Sequence, residues 1–296
     1  AGILSPAAFW SGIRAANDAR AWALWAGRLF LIIGATLILA ALVYFFAYNW
    51  EGLTRWQKLA LPQAIMLLAL VAGQVVGFRR IGGQLLLLAA AVSTGVGFAV
   101  YGQVYQTGAD AFGFFAIWAV CILPWVIAGS FAPLWVLWFT LLNLTIWFFW
   151  NQVGQFHSID SAYVCMLLAA INGTGLVLRE WSLRHFACLR GHWLRPLFLL
   201  GTLTPLLFPA LELVLDTAAN DRLAPLLGTA LWLVCLGGAY RYFTRSRYDR
   251  SALCLVLANA AIVLLSAIWR LFDAVDLFQG GIGFLLMALA VAGVTT

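Results

Sequence analysis

Charge is what this sequence has least of. Only 9% of its 296 residues are Asp, Glu, Lys or Arg, while 64% are apolar. A soluble chain carries about 25% charged residues, so too few are present to clothe a water-facing surface. The basic side chains include one lysine, Lys58, a bias for which we have no physical account. The five cysteines, Cys121, Cys165, Cys188, Cys235 and Cys254, are odd in number and scattered, so no disulfide framework is implied. No phosphate-cradling loop, nucleophile elbow, His-Glu-x-x-His or dinucleotide fingerprint occurs. Local motifs therefore point to no cofactor and to no familiar catalytic chemistry.

What the chain does have is apolar length. Ten stretches, 29–48, 59–78, 85–101, 112–128, 134–150, 162–178, 197–215, 224–243, 252–271 and 282–294, are separated by short polar joints. About 20 helical residues cross a hydrocarbon core roughly 30 Å thick, with about 17 as a lower limit. The fold expected is all-α: a polytopic integral-membrane helical bundle of about ten transmembrane helices. The tenth stretch is short, so its helix is expected to run past residue 296. Two parts follow, a cytoplasmic amphipathic helix in 1–28 and a transmembrane domain in 29–296. Within the first, Ser5-Pro6 is a helix-start signal. Ile3, Phe9, Ile13 and Ala16 recur at helical spacing, and Trp10, Trp22 and Trp25 suit the headgroup zone. A short soluble helix packed on the bundle is the alternative there.

The few charges are sorted. The N-terminal segment and alternate joints hold Arg14, Arg20, Arg28, Arg79, Arg80, Arg179, Arg184, Arg190, Arg195, Arg241, Arg245, Arg247 and Arg250, 13 of the 17 basic residues. The other joints hold Arg55, Lys58, Arg222, Arg270 and 8 of the 11 acidic residues. Lys/Arg excess near helix ends stays cytoplasmic, so both termini are expected inside. The net charge of +6 is then topological. It implies anionic membrane lipids as partners and no nucleic acid.

Polar and aromatic residues collect at the non-cytoplasmic joints. The first reads Asn49-Trp50-Glu51-Gly52 and Arg55-Trp56-Gln57-Lys58; the third runs from Tyr101 to Asp110; the fifth supplies Trp150, Asn151, Gln152, Gln155, His157 and Asp160. They can form one depression, with Glu51, Lys58, Gln103, Gln106 and Asp110 as contacts and Trp50, Trp56, Tyr101 and Tyr105 as walls. Such a surface suits a glycan headgroup, an amphiphile or a partner's segment. Interfacial anchoring and helix capping use the same residue types and remain the alternative.

Inside the spans, Gln63, Gln74, Asn143, Asn172 and Asn259 suit hydrogen bonds between helices. Glu212 is an intramembrane carboxylate and hence a functional candidate, with Arg270 at similar depth. Its span carries Pro205 and Pro209, so a kink is expected, and a break beside a substrate site is the functional reading. The glycines of Ile81-Gly82-Gly83 and Gln279-Gly280-Gly281 read as helix breaks. His185, Cys188 and His192 have a metal-like spacing, but a structural zinc needs four ligands and Arg184, Arg190 and Arg195 oppose a cation. No metal is assigned.

The segment Ala47-Tyr48-Asn49-Trp50-Glu51-Gly52-Leu53-Thr54-Arg55-Trp56-Gln57-Lys58, followed by Gly102-Gln103-Val104-Tyr105-Gln106-Thr107-Gly108-Ala109-Asp110, resembles a bacterial membrane-protein family known as domain of unknown function 2157. The opening Ala1-Gly2-Ile3-Leu4-Ser5-Pro6 is also similar, and the resemblance covers about residues 1–150. It implies a bacterial inner-membrane location and no particular reaction. It also implies a small membrane-anchored protein with a Gly-Asp-Tyr motif as a partner. The reading that follows is a non-enzymatic protein that binds a ligand or partner at its outer face and moves an amphiphile or small solute. A membrane-embedded enzyme acting on a lipid-linked substrate, through Glu51, Asp110, His157 or Asp160, is one alternative. A scaffold or assembly subunit is the other.

Overall fold

In a computed structural model, residues 50–108, 110–154, 159–181, 191, 193–215, 222–246 and 248–274 are described, with scattered positions between 22 and 48. Among them, eight helices are long and apolar enough to cross a membrane. They are α1 (Arg55–Val76), α2 (Ile81–Tyr105), α3 (Ala111–Gly129), α4 (Ala132–Phe149), α5 (Ser161–Trp181), α6 (Leu194–Leu215), α7 (Leu223–Arg241) and α8 (Arg250–Ala274). The described residues contain no strand. The described positions of 22–48, where the first span is expected, are helical. Most of the N-terminal amphipathic segment, the 282–294 stretch, Gln155, His157 and the His185, Cys188, His192 set lie outside the described residues.

The chain forms two compact units, 1–60 and 61–296. In the first, Trp22 and Trp25 pack edge to face with ring centroids 5.5 Å apart. The start of α1 is a reciprocal cap: Thr54 N–H donates to Gln57 Oε1 (2.9 Å), and Gln57 N–H donates to Thr54 Oγ1 (3.4 Å). Orphan amides of a first turn are satisfied in this way.

In the second unit, helix contacts sort the joints by end. Leu87, Val126 and Leu134 share a cluster, so the start of α2, the end of α3 and the start of α4 meet. Ala132 packs with Leu194 and Phe198, which brings the start of α6 to the same end. At the opposite end, Pro209 late in α6 lies against Gly228 early in α7, and Ala162 at the start of α5 is nearby. Consecutive helices therefore alternate in direction, and the described charges separate with them. Arg79, Arg80, Arg179, Arg195, Arg241, Arg245 and Arg250 fall at one end; Asp110, Asp160, Glu212, Arg222, Arg270 and Asp273 fall at the other.

The axis of this unit is α6. Leu199 and Leu203 pack with Val256 and Phe243, Leu206 and Ala210 with Ala169 and Trp232, and Phe198 with Phe139. Lipid tails are as apolar as leucine, so close packing and interhelical hydrogen bonds, not water exclusion, hold such helices together. Small residues on the neighbours supply the closeness. A Cβ on Gly228 would come within 2.7 Å of the Pro209 ring, and one on Gly175 within 2.6 Å of the Phe198 ring.

Three expectations change. The helix α6 runs unbroken through Pro205 and Pro209, and the Pro209 ring fills the notch at Gly228 instead of opening a gap. Gly82 and Gly83 lie within the first turn of α2, not at a break. The break is at Gly77, whose φ of +92° is a left-handed backbone suited to glycine. Finally, α4 and α7 outlast their expected ends by π-helical turns, Trp150–Gly154 and Tyr242–Ser246.

Gly83 supports the α1–α2 turn by having no side chain, since a Cβ there would overlap the Gly77 carbonyl. Gly83→Ala should therefore destabilise the protein by about 1–3 kcal/mol, the usual cost of overpacking. Gly82→Ala would meet only the Val76 side chain at 3.4 Å and should be near neutral. Thermal unfolding of both variants in detergent checks the contrast.

Candidate functional site

At the acidic end of the second unit, Tyr101 and Tyr105 sit four residues apart on the last turn of α2, so one helix face carries both. Their ring centroids are 4.7 Å apart, and both rings are exposed. The helix ends at Gln106, whose left-handed backbone (φ 45°) lets its N–H donate to Gly102 O. Gly108 at φ +60° continues the turn, and Asp110 occupies the N-cap position of α3. Asp usually accepts from first-turn amides there, but the Asp110 carboxylate makes no cap hydrogen bond. Gln103, Gln106 and Asp110 are exposed.

The third and fifth joints adjoin. Phe112 N–H donates to Gln152 Oε1 (3.3 Å), and the Phe112 and Phe149 rings meet edge to face at 5.3 Å. The π turn Trp150–Gly154 holds Trp150 over the chain, where its Nε1–H donates to Ile159 O (3.1 Å). Asp160, in contrast, is a working cap: its Oδ1 accepts the Ala162 amide at 2.7 Å. Glu212 is half-buried, and it and Asp160 both act electrostatically on the Cys165 thiol, which brings these acids to one region.

The first joint belongs to the first unit. The Lys58 ammonium lies 5.0 Å from the centroid of the Trp50 ring, a cation–π contact. Glu51 and Trp56 are exposed.

Mid-bundle polar residues are mutually satisfied. Asn143 Nδ2 donates to Phe139 O (2.7 Å) and Asn172 Oδ1 (3.3 Å); Asn172 Nδ2 donates to Asn143 Oδ1 (2.7 Å) and Leu168 O (2.8 Å). Trp232 Nε1–H donates to Asn259 Oδ1 at 2.7 Å. Such bonds are worth about 0.6–2 kcal/mol each in membranes. These asparagines fasten helices, as their types suggested.

Sequence reasoning missed the most built polar cluster, which lies at the basic end. Glu180 is its hub. Its Oε1 accepts from Arg179 Nη1 and from Arg195 Nε (3.0 Å), and its Oε2 accepts from the Tyr242 hydroxyl (2.8 Å). Arg195 Nη1 pairs with Asp249 Oδ2, and its guanidinium lies 5.4 Å from the Phe243 ring centroid. Arg179 Nη2 donates to Gly191 O (3.2 Å), while its buried Nε has no hydrogen-bond partner among the described residues. Both arginines are buried, Arg179 at 2% exposure and Arg195 at 7%. The cluster ties the end of α5, the start of α6, the π turn after α7 and the approach to α8. A signal existed. Only three of the 11 acidic residues, Asp18, Glu180 and Asp249, fall on the basic side, and an acid among arginines invites pairing. No group of His, Cys, Asp and Glu among the described residues is placed to hold a metal.

Antiparallel apolar helices, charges confined to the two ends and paired intramembrane amides define a polytopic helical membrane protein. Residues 4–135 match the model of the family described as Predicted membrane protein (DUF2157), as the motifs at 47–58 and 102–110 implied. The match ends early in α4, so the Glu180 cluster lies beyond it. No curated protein and no solved structure matches the chain.

Asp249 carries a pH signature. Partial burial pushes its carboxyl up, but hydrogen bonds from Ser251, Arg195 and the Ala252 amide outweigh that and hold it down at about 2, against an ordinary 3.8. A depressed carboxyl stabilises the fold above its unfolded pKa and loses that contribution as pH falls through the folded one. Unfolding midpoints of wild type and Asp249→Asn in detergent should therefore differ at pH 5 and converge between about pH 4 and pH 2.

Proposed function

We propose that this protein is a ten-span bacterial inner-membrane protein, with both termini inside, that binds the polar end of an amphiphile through its non-cytoplasmic joints. The observation that carries this reading is the stretch from Tyr101 to Asp110. Five of its side chains, Tyr101, Gln103, Tyr105, Gln106 and Asp110, are exposed together, and the acid at the helix start does no capping. An exposed tyrosine pair offers stacking area, and the amides and carboxylate offer hydrogen bonds to hydroxyls or amines. Trp50, Glu51, Trp56 and Lys58 carry like residue types in the first joint, within the first unit, and Glu212 lies in the outer part of α6 in the second. Transport of the bound amphiphile or a small solute is the wider role this binding suggests. A small membrane-anchored protein is the partner that fits the same surface.

A photo-reactive residue at Tyr105 tests the site in living cells. A discrete adduct is expected, a specific amphiphile or a small protein, that is lost when Gln103 and Gln106 are changed to Ala. The same probe at Val120, 71% exposed on α3, should capture bulk phospholipid only. Identical adducts at both positions would remove the outer site.

Orientation has its own test. In a cysteine-free background, a cysteine at Gln106 should react with a membrane-impermeant maleimide in intact spheroplasts, and one at Tyr248 only after lysis. The reverse pattern would invert the topology.

A further inference from the structure

We propose that the Glu180 cluster is a latch that closes and opens the basic end of the α5–α8 helices. Four observations converge on it. First, Arg179 and Arg195 are almost wholly buried, and a buried ion-pair set is generally no more stabilising than apolar residues of the same volume. Stability alone does not account for placing two guanidiniums and two carboxylates there. A registry or switch role is the best-attested use of such sets.

Second, one carboxylate joins three partners. Glu180 receives Arg179, Arg195 and Tyr242, and Arg195 carries the linkage on to Asp249. Loss of Glu180 from the centre frees Arg179, Arg195 and Tyr242 together, while the Arg195–Asp249 pair still ties α6 to the approach to α8. Third, Tyr242 and Phe243, which meet Glu180 and Arg195, lie in a π turn. Such turns are rare and frequently mark functional positions in helices. Fourth, among the described residues the buried Arg179 Nε has no hydrogen-bond partner. An orphaned buried donor costs free energy in the closed state and lowers the threshold for leaving it.

Beneath the latch lies an apolar layer of Leu199, Leu203, Phe243, Ala252 and Val256. Opening would admit water from the basic end to this layer. The proposal does not depend on the outer-face reading, since it concerns the opposite end and is tested by water access there.

The test uses the full chain with its five cysteines replaced and one cysteine introduced at Leu199 or, as a remote control, at Ile122. Both positions are buried, at 1% and 0% exposure. Labelling by a small water-soluble maleimide is followed in purified protein. Glu180→Gln keeps the shape and removes the charge. It should speed labelling at position 199 about tenfold through local opening, leave position 122 unchanged, and be partly reversed by Glu180→Asp. If Glu180→Gln fails to fold, Tyr242→Phe removes a single hydrogen bond and should give a smaller acceleration at 199 alone. Unchanged labelling at 199, or equal acceleration at both positions, would show fixed structural glue and overturn the latch.

Discussion

A hydrocarbon interior offers no water to satisfy a polar group, and that constraint organises this molecule. The side-chain amides that enter the bundle find partners on another helix or their own. Asn143 and Asn172 answer each other, Trp232 answers Asn259, and Trp118 Nε1–H donates to Ala91 O at 2.9 Å. These bonds need close approach, and the small residues of the helices provide it. The Trp118 ring lies directly against Gly95, and Gly201 lies against the Asn172 amide. Packing and hydrogen bonding are thus one problem here: a larger residue at the glycine would push away the partner that the polar group requires.

The same constraint explains the position of α6. A helix at the centre of a membrane bundle can carry prolines, because its neighbours are shaped around them. Pro209 is buried and seated at Gly228. The Thr229 hydroxyl beside that notch donates to Pro225 O (2.7 Å) and to Pro209 O (3.3 Å). A proline read in isolation suggests a broken element; read with its neighbour's glycine, it is a ridge in a groove.

Much of the architecture was legible in the sequence because membrane helices announce themselves by length and charge. The eight described spans fall at stretches recognisable by apolar composition, and the alternation of charge matches the ends at which the joints meet. Helix ends were less legible. Thr54 and Gln57 stand in a recognised motif, yet their reciprocal capping bonds were not foreseen from it. The π turns of Trp150–Gly154 and Tyr242–Ser246 leave no trace in hydropathy. The Glu180 cluster was hidden for a related reason. Arg179 and Arg195 were counted as orientation signals, which treats each as a solvated charge, and only tertiary contact shows that both are buried. Among the polar joints, the Phe112–Gln152 contact brings the third and fifth together, an association that alternation implied but could not measure.

The asparagine pair has a further consequence for traffic through the protein. Its two side-chain amides have four N–H donors, and all are committed, two to the opposite asparagine and two to backbone carbonyls. A chain of water molecules or a polar solute needs donors that can be handed from one guest to the next. The α4–α5 seam has none to lend at that level. A guest at that level would have to find its partners on groups other than this pair.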